Sequence, residues 1–470
     1  MRPAQKIIKN IFSLSLAEVA KNGIVFFYNA YLARVILPEG FGIIAFAGSF
    51  LLYFQLLVNL GFNTVGIREI AKSHENINKY VNNILTVRTI LAVISFGLLG
   101  IITYFLDKPL EVKYVLLLSG FNLFSMALLT EWVYHGNERM EFLALRQVIT
   151  SGLNLLGIVI LVHSRNDVII ATVVTVASTA LNTIWMMALY IKLYGKIKIS
   201  FDFKLIKEIT KSSIPIAFVN FFATILNTLN IIMLSIFRSD SETGMYNAAY
   251  KFLLLAVLPM AIIQNAFFPV LSRAETLEEK QRVTEKFSLL FFLMSSIVNI
   301  GFFTYSDLLM NTTFGNAYST GTIIVQILMF TSMIMYISNT CTVPLVAWGK
   351  EKLVMYSVTA GGIVNIIINI LLIPTYGTKG AAIGTIISES VVAMSLLTVF
   401  YKTTKRIYLI KFLKFSIYAS LASYLGYYLS RHGLHISLSC GITLAVYVGL
   451  NLLFKSVDLK EIKGYFINDI

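Results

Sequence analysis

Residues 81–105 read VNNILTVRTILAVISFGLLGIITYF, an apolar stretch in which Arg88 is the only charged residue. A helix needs about 20 predominantly apolar residues to cross the hydrocarbon core of a bilayer. The stretch is too long for a single strand, and it lacks the short alternating pattern of an outer-membrane barrel. It therefore predicts a membrane-spanning helix.

The same pattern recurs along the whole 470-residue chain, which is 57% hydrophobic and only 13% charged. This composition leaves too little polar surface for a water-soluble protein of this length. We expect an all-α polytopic membrane protein with about fourteen transmembrane helices. They lie at roughly 11–33, 41–66, 81–105, 113–135, 147–163, 167–191, 213–237, 246–270, 287–306, 319–346, 354–374, 379–401, 412–430 and 435–454.

The positions of the basic residues predict the orientation, because Lys and Arg near helix ends are retained in the cytoplasm. With the N-terminus inside, 28 of the 38 lysines and arginines fall on the cytoplasmic side. Both termini are then cytoplasmic in a cell (inner) membrane. The net charge of +14 reflects this topology, so no nucleic-acid partner is expected. The first run follows Arg2, Lys6 and Lys9 as in a signal peptide, but it is over twenty residues long and predicts a retained helix.

Several function classes are disfavoured by what the sequence lacks. The outer loops are short, so there is no extracytoplasmic domain to hold a sugar donor or acceptor. The sequence has no Walker-type phosphate loop and no two-histidine metal motif. Cys341 and Cys440 lie in apolar runs and form no disulfide framework. We therefore expect a carrier rather than an enzyme, with no metal and no bound cofactor.

An internal repeat appears when the two halves are compared at an offset of 202 residues. The matched pairs are Gly42 and Gly244, Ala47 and Ala249, Phe50 and Phe252, Leu51 and Leu253, Leu52 and Leu254, Leu56 and Leu258, and Asn63 and Asn265. Such repeats are common in transporters. We predict two six-helix lobes, 1–191 and 213–401, around a central cavity. A cytoplasmic linker, 192–212, joins them, and residues 402–470 add two helices and a cytoplasmic tail.

Polar side chains form a stripe on the first helix of each predicted lobe. The first stripe is Glu18, Asn22 and Asn29; the second is Asn220, Thr224 and Asn227. Within each stripe the spacing places the residues on one helical face. Such a face avoids lipid, so it lines a cavity or packs against another helix.

Three cations and one acid lie inside predicted helices and are candidate site residues. Lys21, Arg88 and Lys251 are expected to contact an anionic substrate, although Lys21 can pair with Glu18 and the other two can snorkel to headgroups. Glu389 is the candidate for coupling to a proton or sodium gradient, or alternatively a protonated packing residue. Pro259 is expected to kink its helix and act as a hinge.

Four groups of segments resemble the polysaccharide flippases, the Wzx-like O-antigen and repeat-unit translocases of the multidrug/oligosaccharidyl-lipid/polysaccharide exporter superfamily. They are 33–42 (ARVILPEGFG) with 59–62 (NLGF) and 68–72 (REIAK); 131–140 (EWVYHGNERM); 314–318 (FGNAY); and 347–350 (AWGK) through Asn365, Asn369 and Pro374 to 377–382 (GTKGAA). They occur in the family's order over most of the chain.

The resemblance implies a two-lobed carrier that moves a polyprenyl-pyrophosphate-linked oligosaccharide to the outer leaflet by alternating access. It implies glycan, membrane-lipid and pathway-enzyme partners, and possible use of an ion gradient or the membrane potential. Many family members have twelve helices, whereas lipid II flippases of the superfamily have fourteen, so a lipid II flippase is one alternative. A cation-coupled drug antiporter is another, although it would need acidic rather than basic cavity groups. A non-transporting scaffold for glycan assembly is the third.

Overall fold

The described part of the chain is built from helices. The computed structural model describes residues 3–72, 76–432 and 434–454, and for residues 3–19 only the backbone. Within these ranges there is no β-strand. The helices are α1 (Pro3–Asn59), α2 (Phe62–Lys72), α3 (Ile77–Phe105), α4 (Leu110–Gly120), α5 (Asn122–Leu128), α6 (Glu131–Gly136), α7 (Met140–Leu161), α8 (Val168–Tyr194), α9 (Phe203–Phe237), α10 (Asp240–Arg273), α11 (Leu277–Thr304), α12 (Ser306–Thr313), α13 (Thr322–Ala347), α14 (Glu351–Thr404), α15 (Leu409–Arg431) and α16 (Ile436–Leu453).

Eleven helical segments of the described chain are long and apolar enough to cross a membrane. Two of them, in α1 and α14, each contain one residue with non-helical backbone angles. If each of these is counted as two crossings, and the 23-residue α15 as one more, the number is the fourteen that the sequence predicts. The prediction of an all-α polytopic membrane protein is confirmed.

The two internal breaks have local causes in the sequence. In α1, Leu37 has φ 61° and ψ 175° and is followed by Pro38, whose ring disfavours the helical conformation in the preceding residue. In α14, Gly377 has φ 54°, a value that glycine adopts without a steric penalty. The second predicted helix, 41–66, ends earlier than expected, because Leu60 and Gly61 both have positive φ and separate α1 from α2.

The chain divides into two compact units, residues 1–247 and 248–470, and each has its own core. A core of the first unit contains Phe62, Ile77, Trp132, Tyr190 and Leu205. The core of the second contains Phe287, Phe291, Phe292, Tyr336 and Phe415. The lobe boundaries given above stay a prediction.

α9 begins about ten residues earlier than the predicted span at 213. Asp202 precedes its first turn, and the Asp202 side chain accepts a hydrogen bond from the backbone N–H of Leu205 at 3.1 Å, as expected of an N-cap. Leu205 and Ile209 then bury one face of the helix in the first unit. Most of the predicted linker is therefore helical, since 192–194 end α8, 203–212 begin α9, and only 195–202 is irregular.

Candidate functional site

Arg88 lies inside the first unit with 1% of its surface exposed. Its Nη1 donates to Asn63 Oδ1 at 3.1 Å, and its Nη2 donates to the carbonyl of Met126. Nη1 also lies 3.5 Å from the carbonyl oxygen of Leu129. Met126 lies in the last turn of α5 and Leu129 directly follows the helix, where the carbonyl groups carry partial negative charge. Arg88 thus stabilises the end of α5 and does not snorkel to headgroups.

A polar cavity of about 310 Å³ surrounds this guanidinium. Its lining is Gln55, Asn63, Arg88, Asn122, Ser125, Met126, Leu129, Glu131 and Thr179. Within the described ranges, Arg88 Nε and Asn122 Oδ1 are buried without a hydrogen-bond partner. Glu131 is the only carboxylate in the lining, and it pairs with Arg146 Nη2 at 2.5 Å. A fixed cation with a spare donor, among amide and hydroxyl groups, can bind phosphate oxygens or sugar hydroxyls.

The sequence identified Arg88 but not the other side chains of the cavity. Gln55, Asn122, Glu131 and Thr179 come from four separate helices, so no spacing rule links them. The sequence could have indicated these four residues only through the position of each polar side chain in or beside an apolar run.

The polar stripes are held mostly against their own helices. Asn29 Nδ2 donates to the Val25 carbonyl at 2.6 Å. On α9, the hydroxyl of Thr224 donates to the Asn220 carbonyl at 2.8 Å, and Asn227 Nδ2 donates to the Ala223 carbonyl at 2.7 Å. These bonds satisfy the side chains locally, so a cavity role for the stripes stays a prediction. Asn22 and Asn220 are half-buried, and the side chain of Glu18 lies outside the described residues.

Lys251 lies deeper in its helix than the sequence suggests. α10 begins at Asp240, so Lys251 is eleven residues along it, about 16 Å from its start at 1.5 Å per residue. The side chain is half-buried, and no described residue forms a hydrogen bond or ion pair with it. An unpaired cation inside a membrane span is costly. Lys21, on α1, is also half-buried.

Glu389 occupies a similar position in α14. It is half-buried, and no hydrogen bond or ion pair connects it to another described residue. The neighbouring Ser388 belongs to a buried chain in which Asn369 Nδ2 donates to Asn365 Oδ1 at 2.8 Å and Asn365 Nδ2 donates to Ser388 Oγ at 3.0 Å. No contact within the described residues thus accounts for the Glu389 carboxyl group, and its coupling role stays a prediction.

Pro259 does not interrupt α10, which continues through it as one helix. A proline removes one backbone hydrogen bond from the preceding turn. In that turn the Tyr336 hydroxyl donates to the Ala256 carbonyl at 3.0 Å. The hinge role of Pro259 stays a prediction.

A buried ion pair joins the loop after α3 to the start of α10. Lys108 Nζ lies 2.9 Å from Asp240 Oδ1 and donates to the Ser235 carbonyl at 2.6 Å. The side chains of Lys108 and Asp240 are only 11% and 13% exposed. Lys108 Nζ also lies 5.6 Å from the centre of the Phe46 ring. This cluster, the Lys108 clasp, connects α1, α9 and α10 on the side that the charge pattern predicts to be outside.

The predicted residues do not form a single site within either unit. In the first unit, Arg88 lines a cavity with Asn63, whereas no stripe residue lines that cavity. Lys251 and Glu389 belong to the second unit.

Sequence comparisons place residues 7–275, more than half of the chain, within the model of a family described as polysaccharide biosynthesis protein. A putative O-antigen transporter of Shigella dysenteriae is 26% identical over 393 residues, which are 83% of this chain and 98% of that one. A second putative O-antigen transporter, from Escherichia coli K12, is 22% identical over 84% of this chain and 97% of that protein. A probable low-salt glycan biosynthesis flippase of Haloferax volcanii, Agl15, is 23% identical over 35% of each chain.

Solved structures show the same fold at low sequence identity. The lipid II flippase MurJ in an inward closed conformation matches with a TM-score of 0.79 and 16% identity, covering 94% of this chain and 98% of that one. An inward-facing multidrug resistance transporter of the MATE family matches with a TM-score of 0.60 and 14% identity. The match covers 83% of this chain and 94% of that one. The fold is therefore the one used by these transporters of the MOP superfamily.

Proposed function

Because the chain belongs to the polysaccharide biosynthesis protein family, we propose that it is a flippase for a polyprenyl-pyrophosphate-linked oligosaccharide repeat unit. It moves this unit from the cytoplasmic to the outer leaflet of the cell membrane for surface polysaccharide biosynthesis, with both of its own termini cytoplasmic. The observation that carries the proposal is the polar cavity around buried Arg88, set among membrane-spanning helices. The named O-antigen transporters and the glycan flippase support the same cargo class.

The cavity addresses the main physical barrier to flipping a glycan. A hydroxyl moved into hydrocarbon without a partner costs about 2–7 kcal/mol, so an oligosaccharide faces a barrier of tens of kcal/mol. Amide and hydroxyl groups such as those of Gln55, Asn122 and Thr179 offer replacement partners. The polyprenyl tail needs no such protection, because it stays in lipid during transfer.

The buried cations suit the pyrophosphate linkage. The Arg88 guanidinium, which lines the cavity, and the Lys251 ammonium, which bonds to no described residue, can each bind an anion that arrives with the cargo. An inside-negative potential then favours outward movement of each negative charge by about 2.3 kcal/mol per 100 mV. We propose Glu389 as the group through which a proton or sodium gradient is coupled.

Alternating access requires the outer side to open after the cargo enters from the cytoplasm. The Lys108 clasp ties α1, α9 and α10 together on the side predicted to be outside. We propose that Lys108 and Asp240 separate when the carrier opens outward, so the buried pair biases the empty protein toward the state closed on that side.

Lipid II is a second candidate cargo, favoured by α15 and α16, which follow the two predicted six-helix lobes in the chain. The cationic cavity suits both cargoes, since both carry pyrophosphate.

Replacing Lys21, Arg88 and Lys251 together by Gln, followed by measurement of surface polysaccharide, tests whether this is a carrier or a scaffold. A carrier loses export, whereas a scaffold with no transport role keeps it. Lys113→Gln is the control and should export normally, because Lys113 is a half-buried cation on the predicted outer side whose Nζ donates to the Tyr104 carbonyl. Intact export by the triple variant, at normal protein levels, would contradict the proposed cationic mechanism.

A further inference from the structure

The irregular segment 195–202 is fixed along α3 by regularly spaced hydrogen bonds. The backbone N–H groups of alternate residues donate to side-chain oxygens of α3: Lys198 to Asn82 Oδ1 (2.9 Å), Ser200 to Thr86 Oγ1 (3.2 Å) and Asp202 to Asn83 Oδ1 (2.7 Å). Asn83 Nδ2 in turn donates to Ser200 Oγ at 3.2 Å. The segment is therefore an ordered strap rather than a free loop.

Two apolar side chains of the strap face outward. Ile199 is 83% exposed and Phe201 is 52% exposed, whereas Ile197 is half-buried against the core of the first unit. Phe203, the first residue of α9, is 79% exposed and stacks on Phe201 with ring centres 6.4 Å apart. Three large apolar side chains thus form one exposed patch.

The strap also reaches the depth at which α3 enters the membrane. Thr86, the partner of Ser200, lies nine residues after the start of α3, or about 13 Å along it. The apolar run that predicts the span already begins at residue 81. The exposed patch is therefore level with the predicted start of this membrane span.

Basic side chains surround the patch. Lys192, Lys196, Lys198, Lys204, Lys207 and Lys211 are all exposed. The same stretch contains two carboxylates, Glu208 and Asp202, and Asp202 lies 3.0 Å from Lys79 Nζ. The positive charges of 192–212 thus greatly exceed its negative charges, on the side of the chain predicted to be cytoplasmic.

We propose that residues 192–212 form a docking surface for anionic phospholipids of the cytoplasmic leaflet. Ile199, Phe201 and Phe203 enter the interfacial layer, and the lysines contact headgroup phosphates. Apolar side chains inserted beside a basic cluster are the combination that binds anionic membrane surfaces. An acidic protein segment would satisfy the lysines, but the depth of the patch favours lipid. This proposal does not depend on the identity of the flipped cargo.

The first experiment measures the depth of the patch in the full-length protein. In a Cys341→Ser/Cys440→Ser background, a spin label is attached at Ile199→Cys, in nanodiscs of phosphatidylcholine and phosphatidylglycerol. Ile94→Cys, exposed in the middle of α3, is the membrane reference, and Glu278→Cys, exposed in the first turn of α11 in a predicted cytoplasmic loop, is the water reference. The oxygen-to-nickel accessibility ratio at Ile199 should lie nearer the Ile94 value. A ratio equal to that at Glu278 overturns the proposal and leaves a protein segment as the occupant.

The second experiment measures lipid selectivity by native mass spectrometry of protein released from the same mixed nanodiscs. Neutralising Lys196, Lys198, Lys204 and Lys207 to Gln should reduce retained phosphatidylglycerol at least about fivefold, since each lysine near an anionic surface contributes binding. The matched control neutralises four exposed basic residues from other predicted cytoplasmic loops: Arg273, Arg282, Lys352 and Lys402. Equal retention by the two quadruple variants would overturn the proposed site.

Discussion

Gly42 of α1 packs against the backbone of α10, and Gly244 of α10 packs against the backbone of α1 in an equivalent contact. A Cβ added to Gly42 would overlap the carbonyl oxygen of Asp240, and one added to Gly244 would overlap the carbonyl oxygen of Pro38. Asp240 and Pro38 each lie four residues before the partner glycine, and both pairs are separated by the 202-residue offset of the internal repeat. Equivalent positions of the predicted repeat therefore meet in reciprocal contacts, with backbone against backbone.

Gly42→Ala should destabilise the protein, because the new methyl group can be accommodated only if α1 and α10 move apart. We expect a loss of about 1–3 kcal/mol or more, the usual cost of overpacking. Thermal unfolding in detergent measures it. Gly48→Ala is the control, since a Cβ there meets no atom within 4 Å and alanine favours the helix. Equal stability of the two variants would refute the close contact.

The repeat was visible in the sequence, but its consequence was not. The 202-residue offset shows which residues of the two halves are equivalent, but it does not show whether equivalent residues are in contact. The sequence therefore paired Gly42 with Gly244 without predicting that they pack together. The gaps between the predicted spans 11–33 and 41–66, and between 354–374 and 379–401, did coincide with the breaks in α1 and α14, because the backbone preferences of Pro38 and Gly377 act locally. Arg88 was identified from its charge in an apolar run. Its cavity partners were missed because they converge through tertiary packing of several helices.

Lys108→Met should destabilise the protein strongly, because it leaves the Asp240 carboxylate buried without its cation. Breaking a buried pair from one side costs about 3 kcal/mol or more. The double variant Lys108→Met/Asp240→Asn should recover much of this loss. Arg238→Gln, which breaks the more exposed pair with Glu242, is the control and should cost less than about 1 kcal/mol. Additive losses in the double variant, measured by unfolding, would show that Lys108 and Asp240 are not coupled.

Lys251 and Arg88 should respond differently to replacement by Met. Arg88→Met loses hydrogen bonds to the end of α5 and should reduce both stability and export. Lys251→Met removes a cation that has no partner among the described residues, so stability should be unchanged or higher while export falls. Unfolding midpoints and surface polysaccharide are measured together. Equal destabilisation by the two substitutions would mean that Lys251 has a structural role.

The N-cap of α9 should make stability depend on pH. The Asp202 carboxylate accepts a hydrogen bond from the Leu205 backbone N–H and lies beside Lys79, and both interactions lower the pKa of Asp202. A lowered pKa stabilises the fold above the unfolded-state value, near 3.9, and this contribution is lost as pH falls through the folded-state value. Asp202→Asn mimics the protonated form. Wild type should be more stable at pH 7, and the difference should shrink below about pH 4. If the stability difference between wild type and Asp202→Asn does not change with pH, it does not arise from the charge of Asp202.

The most direct test of the flippase proposal is mass spectrometry of polyprenyl-linked saccharides from cells with and without this protein. Without a functioning flippase, one defined pyrophosphate-linked oligosaccharide should accumulate, since its transfer is blocked while synthesis continues. Arg88→Gln should reproduce the accumulation and Lys113→Gln should not. Unchanged lipid-linked saccharides together with unchanged surface glycan would contradict the account and favour a drug antiporter.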